Sequence, residues 1–323
     1  MAAARQFGLL GPLTVRCRGV VLPVAPGHQR AVLAALLLGA GRVVPVGELT
    51  EVLWGSAPPV SARVSVQNYV RRLRRALEAA GPDLISTQPG GYLITPAAGE
   101  LDVTRFETLV RSARAAARAG SWADAAGRAR AALTLWRGEP LADIGSDLLV
   151  LREVPRLSEL RLQALEARIE ADLQLGRPAE VAAELQGLTA SHPLRERLYA
   201  LLMLALYRDG RQGEALAAYR QARRVLAEEL GAEPGTGLRE LHQRMLAADP
   251  SLTPPAAAAA DPAPAPGPDS RPDPDAVPAP VPAPEAGRSR AAGAPAGAVP
   301  VPRQLPGSVP HFAGRAADAD RAG

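Results

Sequence analysis

The first hundred residues alternate short β-like runs with helical ones. Apolar residues from Gln6 to Val15 and from Val20 to Val24 predict two strands that turn at Arg18-Gly19. The spacing then predicts a helix from about Gln29 to Leu38, stopped by Gly39 to Gly41. A second runs from about Val46 to Leu53 and ends before Gly55-Ser56-Ala57-Pro58-Pro59. A third begins near Ser61, a residue type that caps helices, and ends before Gly81-Pro82. Leu84-Ile85-Ser86-Thr87 and Tyr92-Leu93-Ile94 flank a turn at Gln88 to Gly91, which predicts a hairpin.

Beyond residue 100 the pattern is helix after helix, with a short motif recurring. It reads Gly120-Ser-Trp-Ala-Asp124-Ala125, then Gly176-Arg-Pro-Ala-Glu180-Val181, then Gly210-Arg-Gln-Gly-Glu214-Ala215. The last two glycines stand 34 residues apart, the period of tetratricopeptide helix pairs, and Ala215-x-x-x-Tyr219 followed by Pro234 suits that repeat. An irregular helical bundle with glycine-ended helices is the competing interpretation. From Pro250 onward the chain is Ala/Pro-rich, holding 18 of the 32 prolines by Pro310, and a disordered, semi-extended tail is expected. The predicted fold is mainly α with a small β component. Its parts are a winged helix-turn-helix over 1–98, an all-α tetratricopeptide-like repeat domain over 101–248 and the tail over 249–323.

Composition adds three points. Aromatics are 3% of the chain, so Ala and Leu must pack the cores. All 37 basic residues are arginine, and ten of them face five acids in residues 1–100, whereas residues 101–249 balance at 21 of each. The positive excess lies in the first segment, which points to a polyanionic partner for it. The single cysteine, Cys17, cannot pair internally and reads as a packed thiol in a strand of a cytoplasmic protein. No secretory signal or membrane-length apolar run is visible.

The third predicted helix carries the chemistry. At 100° per residue, Val66, Tyr69, Val70, Leu73 and Leu77 share one face. The opposite face carries Val64, Asn68, Arg71, Arg72 and Arg75, flanked by Gln67 and Arg74, with Arg63 one turn earlier. Arginine grips guanine bidentately, and Asn or Gln pairs with adenine, at edges open in the major groove. Other arginines would hold phosphates and set register. A solvated helix face has the same composition, but the preceding helix, the tight Trp54 to Pro59 connection and the following hairpin together form a helix-turn-helix with a wing.

Residues 1–96 resemble the OmpR-type winged helix. The resemblance rests on Gln29-Arg30-Ala31-Val32-Leu33-Ala34-Ala35-Leu36-Leu37-Leu38, on Leu49-Thr50-Glu51-Val52-Leu53-Trp54-Gly55, on the run from Val66 to Leu77 and on Gly90-Gly91-Tyr92. Leu101-Asp102-Val103-Thr104-Arg105-Phe106 and Trp136-Arg137-Gly138-Glu139-Pro140-Leu141 resemble the bacterial transcriptional activation domain. Together they resemble the Streptomyces antibiotic regulatory protein family. The resemblance implies an activator of biosynthetic gene clusters, without enzymatic activity or cofactor. It would bind direct repeats in double-stranded DNA near promoters as side-by-side protomers, or as a homodimer, and recruit RNA polymerase. It also implies DNA contacts from Arg63, Gln67, Asn68, Arg71, Arg72, Arg74 and Arg75 and from the wing at Thr87, Gln88, Gly91 and Tyr92. The loop of Gly55, Ser56, Ala57, Pro58 and Pro59 would meet the polymerase. Because the wing reads Thr87-Gln88-Pro89, without arginine, the helix is expected to dominate recognition.

The tail motifs from Val301 to Pro306 and Val309 to Arg315 resemble the lead-in to the nucleotide-binding domain of larger family members. With no lysine in the chain to reach phosphates, that domain is absent from it, so a regulatory fragment of a signalling ATPase stays open. A protein-interaction adaptor built on the repeat groove is the other alternative. His28, His192, His242 and His311 fall in no metal-ligand spacing, and Trp54, Trp122 and Trp136 read as core residues at helix positions.

Overall fold

The computed structural model describes residues 5–81 and 83–253. The expectations for the Ala/Pro-rich segment beyond Thr253, and for the motifs within it, lie outside the described residues. The chain opens with an antiparallel sheet of β1 (Arg5–Gly8), β2 (Thr14–Cys17) and β3 (Val20–Val21), in that order. Residues 6–15, predicted as one strand, are thus split. The backbone amides of Leu9 and Leu10 turn aside to donate to the Asp102 carboxylate at 2.9 and 3.0 Å, and Gly11 and Pro12 complete the turn. Cys17 is buried, its thiol donating to the Ala79 carbonyl at 3.2 Å.

Three helices follow: α1 (His28–Leu38), α2 (Val46–Trp54) and α3 (Ala62–Ala76), the last continued by a 3-10 turn at Glu78–Ala80. Ser61 sits at the α3 N-cap but makes no side-chain cap bond, contrary to the expectation from its residue type. The predicted hairpin is β5 (Ile85–Gln88) and β6 (Gly91–Ile94), and a two-residue strand, β4 (Val44–Pro45), joins it in the order β4-β6-β5. Val44-Pro45 is too short to carry an alternating pattern of its own. A glycine is required at 91, because a Cβ there would lie 2.1 Å from the Val44 carbonyl oxygen.

The helical part comprises α4 (Asp102–Arg118), α5 (Trp122–Leu133), α6 (Asp147–Gln174), α7 (Pro178–Ser191), α8 (Glu196–Arg208), α9 (Gln212–Leu230) and α10 (Thr236–Leu246). The three recurring glycines join α4 to α5, α6 to α7 and α8 to α9. All three turn the same way. Gly120, Gly176 and Gly210 have φ of 73°, 76° and 77°, and the amides after them bond back to Ala116, Asp172 and Leu206. Each is a left-handed helix end that glycine adopts without strain, which is why the motif starts with it. Helix α10 closes the stack against α8 and α9.

Two large cores run through the described residues, with a small third cluster of Ala125, Ala126 and Ala171. The first joins the sheet residues Phe7 and Val15 and helices α1–α3 to Val103, Phe106, Leu141, Leu149 and Leu157 of the helical part. The second holds Leu162, Ile169, Leu198, Tyr199, Leu202, Ala215 and Leu238. The 28-residue α6 belongs to both and acts as their shared spine. The second core extends past the predicted end at 248, since Leu252 packs into it and its carbonyl accepts from Arg208 Nε at 2.8 Å. Trp136 lies beyond α5 in the connection to α6, not at the helix position predicted, and packs edge-to-face on Phe106 at 5.5 Å. No helix of the described residues is long and apolar enough to cross a membrane.

Candidate nucleic-acid interface

Helix α3 is anchored by its apolar face. Val66, Val70, Leu73 and Leu77 are buried, as the helical periodicity predicts, and Tyr69 is half-buried. The Tyr69 hydroxyl lies 2.9 Å from His28 Nδ1, and the His28 ring meets both Tyr69 and Trp54 edge-on at 5.4 Å. One imidazole therefore ties α3 to the start of α1 and the end of α2. The sequence offered no signal for this role beyond a histidine at the start of a helix.

On the opposite face Arg63, Val64, Gln67, Asn68, Arg71, Arg72 and Arg75 are all exposed. Among the described residues, the ion pairs of the first hundred positions are Arg5–Glu100, Arg30–Asp143 and Arg42–Glu48. The four arginines Arg63, Arg71, Arg72 and Arg75 thus carry uncompensated charge on one rigid, outward surface. Such a strip offers forked donors to phosphates and base edges without first breaking internal bonds.

Arg74 is placed differently. Its Nε donates to the Ile85 carbonyl at 2.9 Å, its Nη2 to the Thr87 hydroxyl at 2.7 Å, and its guanidinium lies 6.0 Å from the Tyr92 ring centre. It works as a strut fixing the wing to α3. Gly91 and Tyr92 are buried, with Tyr92 paired across the hairpin to the exposed Thr87, and Gln88 paired to Gly91 is half-buried. The wing's exposed surface therefore consists of Thr87, Pro89 and Gly90. Gly55, Ser56, Ala57, Pro58 and Pro59 are exposed between α2 and α3, with Val60 projecting fully beside them.

A strap from the helical part holds this platform. The Arg137 amide donates to the Leu10 carbonyl at 2.8 Å and the Leu141 amide to the Leu9 carbonyl at 3.1 Å. Arg137 also reaches the Pro12 carbonyl at 2.9 Å, and Asp143 accepts from the Leu13 amide at 2.7 Å and from Arg30. Burial pushes the Asp102 carboxyl up, while the Leu10 and Leu9 amides and Arg137 pull it down. The Trp136 to Leu141 motif is thus the joint between the two parts.

A winged helix with an exposed basic strip, fused to a helical repeat unit, defines a class of transcription regulator. Residues 101–246 match the bacterial transcriptional activator domain, and residues 25–94 match the C-terminal domain of transcriptional regulatory proteins. The chain belongs to the Streptomyces antibiotic regulatory protein family. It is 47% identical over 258 residues to the regulatory protein AfsR of Streptomyces coelicolor, covering 80% of this chain but 26% of that one. It is 41% identical to DnrI of Streptomyces peucetius, covering 76% of this chain and 94% of DnrI. The solved structure of Mycobacterium tuberculosis EmbR in complex with a low affinity phosphopeptide superposes with a TM-score of 0.75 at 38% identity, covering 77% of this chain and 66% of that one. The chain thus spans about a quarter of the length of the AfsR relatives.

Proposed function

We propose that this chain is a cytoplasmic, nucleoid-associated transcriptional activator that reads promoter DNA and acts by binding, without catalysis. The observation that carries the reading is the exposed α3 strip, without ion-pair partners among the described residues, on a helix whose other face buries Val66, Val70, Leu73 and Leu77 in the core. Asn68, Arg71, Arg72 and Arg75 enter the major groove, with Gln67 beside them, and Arg63 meets the phosphate backbone at the groove's edge. Arg74, Gly91 and Tyr92 serve by setting the wing's position, and Thr87 and Gln88 present it. Protomers lie side by side on direct repeats, and the exposed loop Gly55 to Pro59 contacts RNA polymerase. The target genes belong to a biosynthetic cluster, as membership of the Streptomyces antibiotic regulatory protein family implies.

The test is selection of sheared genomic DNA on the purified chain, with Arg71→Ala/Arg72→Ala in parallel. Enrichment of promoter fragments bearing repeats about one helical turn apart, lost in the double variant, is expected. Failure to retain any fragment at low salt, where non-specific binding dominates, would reject the reading.

A further inference from the structure

The helical part carries a second basic surface, unconnected with α3. Arg111, Arg114 and Arg118 lie within about 60° of one another around α4. All three line a hollow of about 610 Å³ between α4 and α6, and Arg114 and Arg118 also line an adjoining one of about 410 Å³. The acids along these hollows are already engaged. Glu107 pairs with Arg156 at 2.7 Å, Glu159 and Glu166 with Arg195 at 2.8 Å, and Glu170 with Arg197 at 2.8 Å.

Among the described residues, Arg111 and Arg118 are exposed without an ion-pair partner, and Arg114 bonds only the neutral Gln163 amide. Three cations on one wall of a groove would repel one another less with an anion between them. The floor is apolar, formed by the buried Val110 and by the half-buried Leu160, Ala117 and Trp122. A polyphosphate backbone has nothing to place on that floor. A peptide with anionic and apolar side chains in turn satisfies both surfaces.

We infer that the α4–α6 groove is a docking site for an acidic, amphipathic peptide segment of a partner protein, gripped by Arg111, Arg114 and Arg118. This site is separate from the DNA-reading face, so a bound partner would couple a second protein to promoter occupancy.

The test titrates the full chain into a fluorescein-labelled peptide of alternating Glu and Leu and follows anisotropy. Parallel arms use the Gln/Leu counterpart, the same pattern with phosphoserine for Glu, and a labelled DNA duplex lacking promoter sequence. Binding of the Glu or the phosphoserine peptide but not the Gln peptide is expected, the two anionic arms telling carboxylate from phosphate. Arg111→Glu/Arg118→Glu should weaken it by at least about tenfold, since both charges reverse at the contact. Both positions are exposed, so an unchanged melting curve verifies the fold of the variant. Affinity for the promoter fragments selected above should stay within about twofold, which separates failure here from failure of the DNA reading. Equal binding of the Gln peptide, no loss in the double variant, or a loss confined to the duplex arm would overturn the proposal.

Discussion

Ser146→Ala probes the joint between the winged helix and the helical part at one atom. The Ser146 hydroxyl donates to the Val52 carbonyl at 2.6 Å, and the residue is 5% exposed. Val52 belongs to the last turn of α2, where carbonyls have no partner within the helix. Neighbouring carbonyls find partners nearby, Glu51 from the Gly55 amide and Trp54 from the Ala57 amide. Val52 relies on Ser146. The same hydroxyl accepts from the Leu149 amide at 3.4 Å as the N-cap of α6.

Alanine therefore leaves a buried carbonyl unpaired, at about 1–3 kcal/mol. It also removes a long cap bond worth at most about 1 kcal/mol. Together the loss is about 1–4 kcal/mol, and in a unit of this size each kcal/mol lowers Tm by about 2–4 °C. Urea unfolding followed by helical circular dichroism checks the value, and retention of a labelled promoter fragment in the same urea series checks the coupling. A loss below about 0.5 kcal/mol would refute the bond's role. Loss of DNA retention well before the helical signal would show that the two parts unfold independently, against the shared first core.

Other substitutions separate positioning from contact. Gly91→Ala must displace β4, because its Cβ would meet the Val44 carbonyl at 2.1 Å. A destabilisation of about 1–3 kcal/mol by thermal unfolding is expected, with weaker promoter binding. Arg72→Ala should cost about 1–3 kcal/mol and relax sequence preference if the residue reads a base, whereas loss of a pure phosphate contact would lower the salt slope by about one. Arg74→Met should leave that slope intact and weaken binding through a loosened wing, seen as faster amide exchange at Ile85 to Gln88. Truncation after Ala248 removes buried Leu252 and its bond to Arg208, so a loss of about 2 kcal/mol is expected in urea. The Ser251 hydroxyl, the Arg244 guanidinium and the Ser251 amide hold the Asp249 carboxyl down at about 2. Because folding lowers this pKa, its contribution is present above the ordinary aspartate range and lost as pH falls through about 2. Carboxyl NMR should show that midpoint, and Arg244→Gln should raise it.

What the sequence made legible was whatever repeats or alternates locally. The α3 stripe, the hairpin and the three glycine-led turns each depend on residues within one helix or one turn, where period and φ preference act directly. What escaped it depends on pairs far apart in the chain. The break at Leu9 needs Asp102, the β4 strand needs Gly91, and the Arg30 side chain finds its acid at Asp143. The site was legible to the same depth. The pattern identified which residues of α3 face outward, but not that Arg74 turns back to Ile85 and Thr87, because the amphipathic angle of a long side chain does not say which backbone it meets.

The joint also bears on how the protein would signal. Asp102, Arg137, Asp143 and Ser146 all lie in the helical part, yet their partners are Leu9, Leu10, Pro12, Leu13 and Val52 of the winged helix. Any ligand that shifts α4 or the N-terminal half of α6 therefore pulls on β1, on the turn after it and on the end of α2. The α2 end leads directly into the exposed Gly55 to Pro59 loop and then into α3. The two helices that wall the groove, α4 and α6, each begin at a residue bonded to the winged helix, Asp102 to Leu9 and Leu10 and Ser146 to Val52. Coupling between peptide and promoter would then require Asp102 and Ser146, and a Ser146→Ala chain that still binds both should lose their mutual effect on affinity.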